Sequence, residues 1–251
     1  MRVCLIPLKI EPRDPTANYE RLASRLDQVA AHRSDLICLP ECSLTGYLYS
    51  EDDFARFAES IPGPTTERIG RLARKHQAHI CFGLLEHTES GVYNSALLVD
   101  KTGRIILRHR KIKEKPPFII GDTPDSADTE LGRLGILICG DLFDGETVQK
   151  LDASLNWLIV PMARSFDGRS PDIDRWITEE RQAYLDAVRA VGVPTLIVNA
   201  LEKNVDAPSF GGALVVSGDG VLLAESTHGT DDALVWDCSI FGSGQNDVRR
   251  N

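Results

Sequence analysis

The 251 residues carry 28 Lys and Arg against 37 Asp and Glu, a net charge of −9, and 42% are hydrophobic, which supports a substantial core and excludes a disordered chain. No cationic block is present to neutralise phosphates, and no apolar run reaches the roughly 20 residues that cross a bilayer, so neither nucleic acid nor a membrane is an expected partner. The N-terminus lacks a signal-peptide core, and the six cysteines, at 4, 38, 42, 81, 139 and 238, form no C-x-x-C pair; the expectation is a soluble, cytoplasmic protein with free thiols.

Residues 2–9 read as a short apolar strand, followed by a loop containing Pro12 and Pro15. From Tyr19 the apolar positions Leu22, Ala23, Leu26, Val29 and Ala30 recur at helical spacing. The run Asp35-Leu-Ile-Cys-Leu-Pro40 is a buried strand, and a second helix over 65–77 turns Ile69, Leu72 and Ala73 inward ahead of a strand at 79–86. Strands at 93–100 and 104–108 flank Lys101-Thr-Gly103, where Gly103 supplies the positive φ of a tight hairpin. After Pro116 and Pro117 come strands at 131–139 and 155–161. A long helix over 172–191 then places Ile173, Trp176, Ile177, Tyr184, Ala187, Val188 and Val191 on one face. A strand at 194–200, a hairpin of 212–217 with 221–225 around Gly218-Asp-Gly220, and a strand at 233–237 complete the chain. Without repeat or long linker, this predicts one α/β unit over 1–251 with mixed sheets.

Loops at the carboxyl ends of strands concentrate the chemistry of α/β folds, and three reactive groups follow apolar strands here: Glu41, Lys111 and Cys139. Each has a plain reading. A Cys in an apolar strand is usually a small core residue, a Glu after Pro is a solvated loop residue, and Lys111 closes an Arg-His-Arg-Lys stretch that suits a wet edge strand. Together they have a chemical logic. A thiol near 8.5 and a carboxylate near 4.3 are mismatched by roughly four units, about 6 kcal/mol. Burial raises the carboxylate and a nearby ammonium lowers the thiol, so one dry pocket corrects both, and the same ammonium can meet a developing oxyanion.

Leu36-Ile-Cys-Leu-Pro-Glu41-Cys-Ser-Leu-Thr-Gly-Tyr47 resembles the first signature of the nitrilase superfamily of carbon-nitrogen hydrolases, whose catalytic Glu follows the Pro. Tyr93-Asn-Ser-Ala, Gly103 and Arg110-Lys111-Ile112 resemble the hairpin leading to its Lys. Gly135-Ile-Leu-Ile-Cys139-Gly-Asp141 is similar to its nucleophile strand, and Phe210-Gly-Gly-Ala with Gly218-Asp-Gly220 to its C-terminal hairpin. The likeness runs over 2–237. It implies a four-layer α-β-β-α sandwich with Cys139 as nucleophile, Glu41 as general base and then acid, and Lys111 as stabiliser of the tetrahedral intermediate. It further implies a second glutamate, best matched by Glu114, an oxyanion donor in the backbone N–H of Leu142, no metal or organic cofactor, and a homodimer paired through the Trp157 strand and the 172–191 helix. Asp141 points to the amidase side, because true nitrilases carry a Trp-Glu pair after the nucleophile. The stretch Leu142-Phe143-Asp144-Gly145-Glu146 departs from the Arg-Phe-Pro-Glu of many amidases, and the helix ends Asp186-Ala-Val-Arg-Ala-Val-Gly192 rather than in the family's Arg-Ala and Glu-Asn.

The expected reaction is hydrolysis of a non-peptide linear amide or carbamoyl compound through a thioester. An acyltransferase using the same trio and a catalytically silent binding protein are the rivals. Phe143, Arg164 and Ser165 are expected to face a small-molecule amide substrate. Arg164, in a loop with Ser165 and Asp167, can meet a substrate carboxylate with both arms. His109 leaves a Cys-His couple as the minor option, and His76 and His79 read as helix-end histidines rather than metal ligands.

Overall fold

The structure, a computed structural model, describes residues 1–165, 173–202 and 209–238. The first strands and helices are β1 (Arg2–Leu5), β2 (Lys9–Ile10), α1 (Pro15–Val29), β3 (Leu36–Cys38), α2 (Glu51–Phe57) and α3 (Pro64–His76). The hairpin strands β4 (His79–Thr88), β5 (Gly91–Val99) and β6 (Ile105–Arg110) follow, then β7 (Ser126–Thr129), β8 (Gly132–Ile136), α4 (Gly145–Gln149) and β9 (Trp157–Met162). Short helix α5 (Ile173–Arg175) runs through a π turn at Trp176–Glu180 into α6 (Arg181–Val191). The last strands are β10 (Thr195–Asn199), β11 (Leu201–Glu202), β12 (Ala213–Val216), β13 (Leu222–Glu225) and β14 (Leu234–Asp237).

Two six-stranded mixed sheets result, ordered β14-β1-β3-β4-β5-β6 and β13-β12-β10-β9-β8-β7. The pairs β1–β3–β4 and β8–β9–β10 are parallel, and the outer pairs are antiparallel. Because side chains alternate along a strand, each sheet presents two apolar faces. Val3, Leu5, Leu36, Cys38 and Leu98 pack against Leu134, Ile136, Ile159, Leu196 and Val215 between the sheets. The opposite face of the first sheet, through Cys4, Ile37, Ile80 and Phe82, receives Leu22 and Leu26 of α1 and Ile69 and Leu72 of α3. The outer face of the second, through Leu158, Val160 and Ile197, receives Trp176, Tyr184 and Val188. These three apolar layers make the α-β-β-α sandwich.

Helix α1 starts four residues before the apolar periodicity does, since Asp14 accepts the Ala17 N–H at 3.0 Å and Pro15 takes the first turn, where its missing N–H costs nothing. Helix α2, absent from the expectation, is capped by Ser50, whose hydroxyl accepts the Asp53 N–H and donates to the Asp53 carboxylate. The strand expected to run to Cys139 stops at Ile136, because Cys139 takes a left-handed φ of 47° and opens a 3-10 turn, Cys139–Phe143. The long helix also differs. Its buried residues Trp176, Glu180, Tyr184 and Val188 recur every four positions, because the π turn widens the helix there, and this leaves Ile173 and Ile177 exposed at 50% and 42% instead of inward. Asp172, its expected start, lies outside the described residues. Among the described residues no helix is long and apolar enough to cross a membrane.

Candidate active site

The ends of β3, β6 and β8 bring Glu41, Lys111 and Cys139 to one cavity of about 610 Å³, shared with Tyr47, Glu114, Phe118, Ala163, Arg164 and Ser165. That size suits a small molecule.

Glu41 reaches the cavity on a loop folded tightly onto β4. The Gly83 N–H contacts the Pro40 carbonyl at 3.2 Å, and a side chain at Gly83 would stand 2.5 Å from the Cys42 nitrogen, so only glycine lets the loop lie this close. Only 1% exposed, the Glu41 carboxylate is fully engaged: Oε1 accepts from Lys111 Nζ at 2.8 Å and Asn94 Nδ2 at 2.6 Å, and Oε2 accepts the Ala163 N–H at 2.8 Å. Glu114 shares the same cation, with Oε2 3.0 Å from Lys111 Nζ, while its Oε1 accepts the Tyr47 hydroxyl at 2.7 Å. Burial opposes the charge on Lys111, but Glu41, Cys139, Tyr47 and Glu114 outweigh it and hold the ammonium well above its ordinary range.

Asp141 is the clip that joins the Lys111 and Cys139 loops. Its carboxylate accepts the backbone N–H groups of Ile112, Lys113 and Ile138 and stands 2.8 Å from His109 Nε2. That contact assigns His109 to Asp141 rather than to a couple with Cys139. Cys139 itself holds the left-handed backbone that costs a non-glycine residue of order 1 kcal/mol or more. Burial and the Glu41 charge push its thiol up to about 12, against the opposing influence of Lys111, the Ala163 N–H and Arg164. The ammonium was expected to lower the thiol. It does, but burial and the carboxylate outweigh it, and the net shift of the thiol is upward.

The remaining expected residues separate. Ser165 lines the cavity, whereas Leu142 is buried in the outer core beside α6 and is not among the residues that line it. Phe143, 42% exposed, lies against Tyr184 at 5.5 Å between ring centroids. The bidentate edge of Arg164 is taken by Glu180, at 2.9 and 3.2 Å, so the edge expected to hold a substrate carboxylate already holds a carboxylate of the chain. Asp167 lies outside the described residues. His76 sits at the end of α3 beside Asp27, His79 opens β4, and no cluster of three or more His, Cys, Asp or Glu among the described residues is arranged to hold a metal. Asn94, Asp141 and Glu180 were missed as site residues. The local sign of Asn94 is its place in Tyr93-Asn-Ser-Ala, a polar break ahead of the apolar Ala96–Val99 half of β5.

A carbon-nitrogen hydrolase family profile matches residues 2–240. The chain is 29% identical to a protein described as a hydrolase in the pqqF 5' region of Pseudomonas protegens, over 94% of this chain and 81% of that one. It is 25% identical to the human omega-amidase, over 94% and 87%. Among solved structures it is similar to a carbon-nitrogen hydrolase of Helicobacter pylori, with a TM-score of 0.81 at 20% identity over 94% and 87% of the two chains. An amidase from Nesterenkonia sp. superposes with a TM-score of 0.73 at 20% identity over 94% and 89%. With the profile spanning nearly all of its length, the chain belongs to the carbon-nitrogen hydrolase family, on the amidase-like side of the nitrilase superfamily.

Proposed function

We propose that the chain, acting as one catalytic domain, cleaves the C–N bond of a non-peptide linear amide or carbamoyl compound through a thioester on Cys139. The observation that carries this is the meeting of a buried carboxylate, an ammonium 2.8 Å from it and a thiol at one small-molecule cavity.

The sulfur attacks the carbonyl carbon as Glu41 takes its proton, so thiolate never accumulates beside the carboxylate. Negative charge moves to the carbonyl oxygen, where Lys111 and the Leu142 N–H stabilise it; one such donor is worth about 3–4 kcal/mol in the transition state. The C–N bond breaks as Glu41 returns the proton to the departing amine. Glu41 then deprotonates water, which attacks the thioester, and collapse of that intermediate releases the acid and restores the thiol. Glu114 holds Lys111 from the other side. Side chains supply every proton and charge, so this reading calls for no metal or organic cofactor.

The amidase names of relatives support an amide substrate. Related Nesterenkonia amidase structures, in a glutamate-to-glutamine variant, show acrylamide added to the active-site cysteine and, separately, the acetamide moiety of fluoroacetamide at that cysteine. That chemistry supports the role given to Cys139. Homodimer formation through the 172–191 helix belongs to the same reading and is supported by the exposed Ile173 and Ile177; the Trp157 strand, also expected at the interface, lies inside its sheet between β8 and β10 with Trp157 packed on Trp236.

The test is ammonia release from a panel of ω-amides, carbamoyl amines and short aliphatic amides, with Cys139→Ala as control. Turnover of at least one compound by the native chain and none by the variant is expected. Equal rates for both would overturn the thioester route, and hydroxamate outpacing acid when hydroxylamine is added would turn the reading to acyl transfer.

A further inference from the structure

Asn94 lies on β5, 1% exposed, and three of its polar groups point at the site from different directions. Its carbonyl accepts the Lys111 N–H at 2.8 Å, which sets the backbone from which the ammonium projects. Its Nδ2 donates to Glu41 Oε1 at 2.6 Å and to Glu114 Oε2 at 2.9 Å. Those are the same two oxygens that Lys111 Nζ contacts, at 2.8 and 3.0 Å. Ammonium, carboxylate, amide and carboxylate therefore close a ring in which donors and acceptors alternate. The Cys42 thiol, 3.8 Å from Oδ1, fixes the sense of the amide, since the reversed orientation would set Oδ1 against two carboxylate oxygens.

We propose that Asn94 is a positioning residue: by closing this ring it pins Glu41 Oε1 and Glu114 to Lys111, so that Glu41 Oε2 stays against the Ala163 N–H and presents the base to Cys139. A neutral donor is the group this place requires. A second cation would balance the two carboxylates and weaken the base, and a third carboxylate would repel both. The titratable and charged groups around the ring are Cys42, Tyr47 and Glu202, together with Lys111, Glu114, Cys139 and Arg164. Without Asn94, Glu41 and Glu114 compete for one ammonium, and Glu41 is free to turn from the sulfur.

The inference rests on the general-base reading of Glu41, and one experiment separates the two. Cys139 alkylation by iodoacetamide is followed by mass spectrometry across about pH 6–9 in the native chain and in Glu41→Gln, Asn94→Ala and Asn94→Asp. With Glu41 as the positioned acceptor of the thiol proton, attack needs no prior thiolate and the native rate is expected to be nearly flat with pH, whereas in Glu41→Gln only thiolate reacts and the rate climbs by about tenfold per pH unit. Both Asn94 variants are expected to climb like Glu41→Gln while keeping native circular dichroism. If native and Glu41→Gln profiles coincide, the base assignment fails. If those two differ and the Asn94 variants stay flat, the base stands and the positioning role is overturned; unfolding of both Asn94 variants also overturns it, by assigning the residue to the fold.

Discussion

Two buried carboxylates at the same end of the first sheet meet opposite surroundings. Glu86, on β4 and 1% exposed, accepts Arg110 Nη2 and Nε at 2.6 and 2.9 Å, Arg108 at 3.1 Å and the Ser95 hydroxyl at 2.6 Å. It has more cation than it needs. Glu41 shares a single ammonium with Glu114, and a thiol stands beside them. The first cluster is charge-compensated and ties β4 to β6. The second sets two carboxylates on one ammonium at the wall of a cavity, an arrangement that, on the proposed mechanism, lets a carboxylate act on a thiol proton. Buried charge alone therefore does not mark the site; the sign of the imbalance does.

The sharpest break in this comparison is chemical. Cys139→Ala should lower turnover by about 10⁴-fold or more while leaving the thermal midpoint within a few degrees, since the small side chain removes the nucleophile and no charge. Loss of fold on this substitution would place Cys139 in the core and not the mechanism. Lys111→Met comes next. It leaves two carboxylates without their cation, so turnover should fall about 10³-fold and stability by about 3–5 kcal/mol, read by denaturant titration. A variant as stable as the native chain would mean that the cluster carries no excess charge.

The sandwich was legible because its inner strands are uninterrupted apolar runs; Glu41 and Cys139 stood out as candidates because they follow such runs, and all three candidates, Lys111 included, because their motifs resemble a family. What stayed hidden depends on contacts distant in sequence. Asn94 meets Lys111 through the β5–β6 register, which pairs Ser95 with Arg110, and meets Glu41 across 53 residues, so no local pattern shows the ring. The partner of Arg164 is hidden for a different reason: the π turn changes the helical phase and turns Glu180 inward beside Trp176 and Tyr184. Strands β2, β7 and β11 are two to four residues long, too short for alternation to register. The lowering influence of Lys111 on the thiol is readable from a motif, and the desolvation that outweighs it is not.

Glu86→Gln sharpens the comparison from the compensated side. The amide keeps the shape and some hydrogen bonds but leaves Arg110 and Arg108 without a counter-charge, and both guanidiniums are partly exposed, at 28% and 46%. The expected loss is about 1–3 kcal/mol, with turnover within about threefold of native. A drop in turnover as large as that of Lys111→Met would show that the two clusters act as one.

The smallest effect is the pH dependence of that stability. Burial pushes the Glu86 carboxyl up, but hydrogen bonds from Arg110 and Ser95 and the charges of Arg110 and Arg108 outweigh it and hold the group below its ordinary value. A carboxyl depressed on folding contributes in full above its unfolded value near ~4.3 and loses that contribution as pH falls through the folded one. The native thermal midpoint should therefore fall more steeply with acid below about pH 4.5 than that of Glu86→Gln, by at most the slope of one proton, about 1.4 kcal/mol per pH unit. Cys139 makes no such acid contribution, because its thiol is raised and stays neutral throughout that range. Parallel midpoint curves for the native chain and Glu86→Gln would mean that Glu86 titrates in the fold as it does in the unfolded chain, and the contrast between a compensated and an uncompensated carboxylate would lose one of its two sides.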